Sequence, residues 1–282
     1  MSILTVGAMQ LSLNKTNNLN YVINSIENFC NTHKDVELLV LSELAVGGPG
    51  AKDSEHSLDR YINTFSDLAK KLNIWLIPGT FYENDGDSIF NTAPVFNSNG
   101  DLVTKARKLY PWLPYEINVD SGTSICVFEI PGKGTIGLHI CYDLWFPETS
   151  RALALAGAEL IINPTLTPTK DREMETLMVR TTAAQQQAYY IDVNSCGDQG
   201  CGLSIAADSQ GNVLHQSSDG EDLFTIDVDF DVSHNSRIKG FMNLGQNLKS
   251  YRDNRFNELM DIPQDQDYLD SLGDLIDFNK EK

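Results

Sequence analysis

The sequence predicts an α/β fold in which two mixed sheets pack face to face with helices outside, a four-layer αββα sandwich. Three observations lead there. Largely apolar, β-branched runs such as VELLVL (residues 36–41) read as strands covered on both faces. Segments with helical spacing separate them, and pairs of strand-like runs joined by turn residues recur in both halves of the chain.

In order, residues 4–11 form a first strand and residues 18–30 a helix, with Leu19, Val22, Ile26 and Phe29 on one face. The 36–41 strand ends in Ser42, Glu43 and Leu44, so a carboxylate comes directly after a buried segment. A loop holding Gly47, Gly48, Pro49 and Gly50 leads to a helix near 58–72, and 74–79 is the next strand. Residues 89–96 and 102–108 pair as a hairpin, and so do 124–130 and 135–140. The turn of the second hairpin creates a literal G-x-G-x-x-G at Gly132, Gly134 and Gly137. That fingerprint holds phosphate only between a strand and a helix, so it is set aside here. A helix over 148–156, a strand over 159–163, a long helix over 172–187 and strands over 189–195, 203–207, 213–215 and 223–228 complete the pattern.

At 282 residues the chain suits one large domain, taken as residues 1–245. Residues 246–282 form an acidic extension, expected to be solvated or to dock on a partner subunit. With 21 basic against 39 acidic residues the formal charge is -18, which argues against nucleic acid or an anionic membrane as partner. Five scattered cysteines make no disulfide framework, and the N-terminus lacks a basic, then apolar, leader; cytoplasmic residence is the expectation.

Cys141 comes after the 135–140 strand and precedes a helix opened by Pro147. A side chain at such a switch stands at the carboxyl edge of a sheet beside backbone N–H groups, which makes the thiol a candidate nucleophile. Most free cysteines are small buried hydrophobes, so the case needs partners. Glu43, at the end of a buried strand, is the acid best placed to serve as base once desolvation raises its pKa. Lys108, at the end of the 102–108 strand, supplies a fixed cation for a developing oxyanion. Glu116 lies eight residues on, in LYPWLPYE, where it would hold that ammonium or orient a substrate amide. His139 shares a strand face with Cys141 but is badly placed to reach round to it, and is read as a satisfied strand histidine. Cys30 and His33 are too isolated for a zinc site.

LVLSEL around Glu43, ARKLYPWLPYE around Lys108 and Glu116, and HICYDLWFPE around Cys141 resemble the three signatures of the nitrilase superfamily, carbon-nitrogen hydrolases with a Glu-Lys-Cys triad. GAELIINP (residues 157–164) and GLSIAADSQG (residues 202–211) resemble later segments of that family, and RKLYPWLPYE is most similar to its aliphatic amidase and formamidase branch. The resemblance implies an αββα domain over 1–245, assembled as a homodimer or higher homo-oligomer, that needs no cofactor or metal. It implies hydrolysis of a small carboxamide to acid and ammonia through a thioester on Cys141. Glu43 would act as base, Lys108 and the Tyr142 backbone N–H would bind the oxyanion, and Glu116 would support Lys108. Trp112, Tyr142 and Trp145 are candidate substrate-pocket residues. The sequence departs from the family pattern at Ser42, Trp145, Thr182 and Gln185, which leaves N-carbamoyl amines and nitriles open as substrates. A non-catalytic assembly or ligand-sensing role on the same fold is the rival from another class, and the presence of all three triad residues speaks against it.

Overall fold

The computed structural model describes residues 3–49, 56–113 and 115–253. The first half runs β1 (Ile3–Gln10), β2 (Ser12–Leu13), α1 (Leu19–Thr32), β3 (Leu38–Leu41), α2 (Ile62–Leu72), β4 (Trp75–Ile77), β5 (Phe81–Asp85), β6 (Ser88–Phe96) and β7 (Leu102–Arg107). The second half continues with β8 (Cys126–Ile130), β9 (Gly134–Leu138), α3 (Pro147–Leu155), β10 (Leu160–Pro164), α4 (Arg172–Gln186), β11 (Tyr189–Val193), β12 (Cys196–Gly197), β13 (Ile205–Ala207), β14 (Val213–Gln216), β15 (Asp222–Asp229), α5 (Phe230–Lys239) and α6 (Asn247–Asp253).

Of the two main sheets one has the order β15-β1-β3-β4-β6-β5 with β7 on β6 and the other β14-β13-β11-β10-β9-β8, while β2 and β12 form a separate two-stranded pair. Each main sheet is mixed. β1, β3 and β4 run parallel in the first, β9, β10 and β11 in the second, and antiparallel strands flank both trios. The alternation of each strand sends one face to the neighbouring sheet and the other to helices. Val6, Val40 and Val95 of the first sheet thus meet Leu138, Ile162 and Ile191 of the second in a central core. Met9, Leu39 and Leu41 pack against α1 and α2, while Ile161 and Tyr190 pack against α3 and α4. These three apolar layers separate four layers of structure, the αββα sandwich expected from the sequence.

Differences are local. The expected 58–72 helix begins as a 3₁₀ turn, Leu58–Arg60, before α2. β5 is not evident in the sequence, because FYEND mixes apolar and turn-forming residues. Nor is α5; it carries no continuous apolar stripe, although Asp229 caps it by accepting from the Asp231 N–H. The extension over 246–282 lies outside the described residues beyond Asp253. No helix among the described residues is long and apolar enough to cross a membrane.

Candidate active site

Parallel strands deliver the loops at their carboxyl ends to one edge of a sheet, and ligand sites of α/β folds gather there. Glu43 lies two residues beyond β3, Cys141 three beyond β9 and Thr165 one beyond β10. The Glu43 N–H donates to the Thr165 carbonyl at 3.2 Å, so the edges of the two sheets are tied together at the site. On the first side the chain is held closely. Gly79 has φ +84°, and a Cβ there would lie 2.1 Å from the Ser42 carbonyl oxygen. Leu44, at φ +49°, donates its N–H to Thr80 Oγ1.

Cys141 has φ +48°, a conformation that costs a non-glycine residue on the order of 1–3 kcal/mol. It opens the 3₁₀ turn Cys141–Trp145, and only after that turn does α3 begin at Pro147. The expected strand-to-helix switch is therefore a strand, a tight turn and then a helix. Asp143 holds this turn. Its fully buried carboxylate accepts from the Ile140 N–H and, across the site, from the N–H groups of Leu109 and Tyr110, the two residues after Lys108. Burial raises its pKa to about 6.

The side chains singled out in the sequence converge. Lys108 Nζ donates to Glu43 Oε1 at 2.8 Å and to Glu116 Oε2 at 2.7 Å, with Lys108 only 2% exposed. Burial works against the ammonium, but the two carboxylates hold its pKa well above the ordinary lysine value. Glu43 is raised above the usual carboxylate range, first by burial and then by Glu116, with Lys108 opposing. Its carboxylate and the Cys141 thiol are close enough to shift each other's ionisation. Burial and the Glu43 charge push that thiol well up, against the pull of Lys108, so the resting sulfur is neutral. Cys141 Sγ also faces the Leu166 carbonyl at 3.9 Å.

Trp112, Tyr142 and Trp145 line a small pocket with Cys141, Leu166, Thr167, Asp171 and Glu175. Trp112 is fixed by its backbone N–H, which donates to Glu116 Oε2 at 2.6 Å, and by stacking on Tyr115. The Trp145 Nε1–H donates to Glu175 Oε1 at 3.2 Å. His139 points away from the sulfur, its Nε2 2.6 Å from the Tyr190 hydroxyl, and burial drives its pKa down to about 3. It is the neutral, satisfied histidine expected from the sequence.

Two participants are not apparent from the sequence. Asn91, at the centre of β6, donates from Nδ2 to both Glu43 Oε1 and Glu116 Oε1 at 2.7 Å. An asparagine inside the strand-like run 89–96, where that residue is uncommon, is the signal that could have found it. Glu175, on α4, accepts from Trp145, Thr167 Oγ1 and Arg172, and Arg172 also pairs with buried Asp192 at 2.6 Å. The spacing of Arg172 and Glu175 along one helix face is visible in the sequence, but its direction into the pocket is not.

This arrangement of acid, ammonium and thiol sits on a chain with clear relatives. The sequence profile described as carbon-nitrogen hydrolase matches residues 5–237. The omega-amidase Nit3 of Saccharomyces cerevisiae is 28% identical over 263 residues, covering 82% of this chain and 89% of that protein. The deaminated glutathione amidase of Dictyostelium discoideum is 32% identical over 206 residues, covering 64% of this chain and 70% of that protein. The crystal structure of yeast Nit3 superposes with a TM-score of 0.77 at 26% identity, covering 84% of this chain and 94% of the other. An amidase from Nesterenkonia sp. AN1, solved in complex with butyramide, shares the fold with a TM-score of 0.74 at 21% identity, covering 83% of this chain and 94% of the other. The chain belongs to the carbon-nitrogen hydrolase family of the nitrilase superfamily.

Proposed function

We propose that the protein is a cysteine-dependent amidase that converts a small carboxamide to a carboxylic acid and ammonia. The observation that carries this reading is the buried Lys108 ammonium held between Glu43 and Glu116, with a Cys141 thiol whose ionisation both Glu43 and Lys108 influence. The similar proteins named as amidases support the same class of reaction.

In the proposed cycle Glu43 takes the thiol proton as Sγ bonds to the amide carbon. The carbonyl oxygen becomes an oxyanion, received by the Lys108 ammonium and by the Tyr142 N–H in the first positions of the 3₁₀ turn, where backbone donors lack intrahelical partners. Glu43 passes its proton to the amide nitrogen, the C–N bond breaks and ammonia leaves. A water deprotonated by Glu43 then attacks the thioester carbon. Collapse of that adduct releases the acid, and the sulfur regains its proton. Raised basicity suits Glu43 to this shuttle, since a base works best with a pKa near the operating pH. Glu116 keeps the ammonium aimed. We also propose self-association, with the exposed Leu155, Met174 and Leu177 of α3 and α4 as apolar surface available to a second copy.

Ammonia release from a panel of short amides, ureido compounds and nitriles tests the reading. Amides are expected to be turned over, with Cys141→Ala inactive and Lys108→Met reduced by on the order of 10²–10³. Equal release by wild type and Cys141→Ala, or release only from nitriles or ureido compounds, would overturn it.

A further inference from the structure

The charge around the nucleophile is lopsided. The described buried ionisable groups packed about the pocket are the acids Glu43, Glu116, Asp143, Glu175 and Asp192 and the cations Lys108 and Arg172. Both cations are committed. Lys108 lies between Glu43 and Glu116, and Arg172 between Glu175 and Asp192. His139 adds no charge, because burial keeps it neutral. Burial raises the pKa of Glu43, Asp143 and Glu175, with Arg172 opposing it at Glu175; even with Glu43 and Asp143 both protonated, three acids face two cations.

The described residues that line the pocket repeat this bias. They comprise three aromatic rings, the Cys141 sulfur, Leu166, Thr167, Asp171 and Glu175, with no cation among them. Glu175 is 4% exposed and accepts three hydrogen bonds, from Trp145, Thr167 and Arg172. A carboxylate has about four acceptor positions, so one remains. Asp171 stands half-buried beside it, its side chain accepting from Thr169 Oγ1. Aromatic faces attract cations, and a carboxylate of the substrate would enter with no cation among the described lining residues to meet it.

We infer that the Trp112, Tyr142, Trp145, Asp171 and Glu175 wall selects a carboxamide whose distal end is cationic, and excludes one that ends in a carboxylate. The inference rests on the amidase reading for which bond is cut, while the choice of distal charge is a property of the pocket. Glu175 and Asp171 are specificity residues in this assignment. Neither handles the transferred protons.

Three amides of matched length test it: γ-aminobutyramide, pentanamide and succinamate. In wild type, kcat/KM is expected to fall in that order, with the cationic amide favoured over the anionic one by on the order of tenfold or more. Glu175→Gln keeps the shape and two acceptor positions. It is expected to raise succinamate and lower γ-aminobutyramide, while pentanamide moves least; loss of packing alone would move all three together. Asp171→Asn, which leaves the Arg172 pairs intact, should shift the same ratio in the same direction and decides the matter if Glu175→Gln does not fold. Calorimetric binding of the three amides to Cys141→Ala separates the two readings. Cation-selective binding without turnover by wild type would sink the amidase reading and leave the selectivity standing. Succinamate bound or hydrolysed as well as γ-aminobutyramide overturns the selectivity, and no binding of any of the three overturns both.

Discussion

Asn91 carries no charge, yet its amide sets how the two glutamates of the site face each other. Its Nδ2 is a donor to both carboxylates, 2.7 Å from each. Removing it leaves two buried anions with Lys108 as their remaining shared donor. Asn91→Ala is therefore expected to lower kcat by about 10- to 100-fold and to raise the pH at which Glu43 ionises, since a donor to the charged form is lost. A fall in kcat with an unmoved pH profile would reduce Asn91 to packing. The wild-type profile has its own sign. Glu43 must be ionised to take the thiol proton, and burial raises its pKa above the ordinary 4.5. The acid limb of kcat/KM should therefore rise with a midpoint above that value, whereas a rate held flat to lower pH would exclude Glu43 as the base.

At the scale of the element, the turn after β9 and the segment after β7 are coupled through one carboxylate. Asp143 receives N–H groups from both, which fixes the direction of approach of Lys108 to Cys141. Its pKa is raised from 3.8 to about 6 by burial. Stability contributed by this group is thus fully present below pH 3.8 and is lost as pH rises through about 6, because the folded state resists ionising it. Asp143→Asn is expected to flatten the pH dependence of the denaturant midpoint across that window while lowering activity, because an amide offers one acceptor oxygen to three donors. Glu43, Lys108, Glu116 and Cys141 were legible in the sequence because each ends a strand or lies in a short motif just after one. Asn91 was not, since its inward register appears only when β6 is paired with β5 and β7. Glu175 was hidden for a similar reason: helical spacing says which residues share a face, not which face meets the pocket.

For the whole molecule, the alternation of apolar runs and helical segments was enough to read two sheets with helices outside. Of the pairing order it showed only the two hairpins, β6 with β7 and β8 with β9. The placement of β15 beside β1 joins the first and last described strands through eight register pairs, Ile3 with Asp229 to Gln10 with Asp222. Nothing local in either strand names the other, because what selects the partner is the matched burial of Leu4, Val6 and Ala8 with Phe224, Ile226 and Val228. The first sheet is thereby completed by the last strand of the described fold, and the domain is expected to unfold as one unit.

The bond from the Glu43 N–H to the Thr165 carbonyl bridges the two leaves of the sandwich, and base and nucleophile ride on opposite leaves. A slip of one leaf past the other by a single residue pitch, about 3.3 Å, exceeds what a hydrogen bond tolerates. Turnover is then a gauge of leaf alignment. Catalysis and near-ultraviolet dichroism should vanish over the same range of denaturant, and an earlier loss of catalysis would mean that the leaves shear before they part.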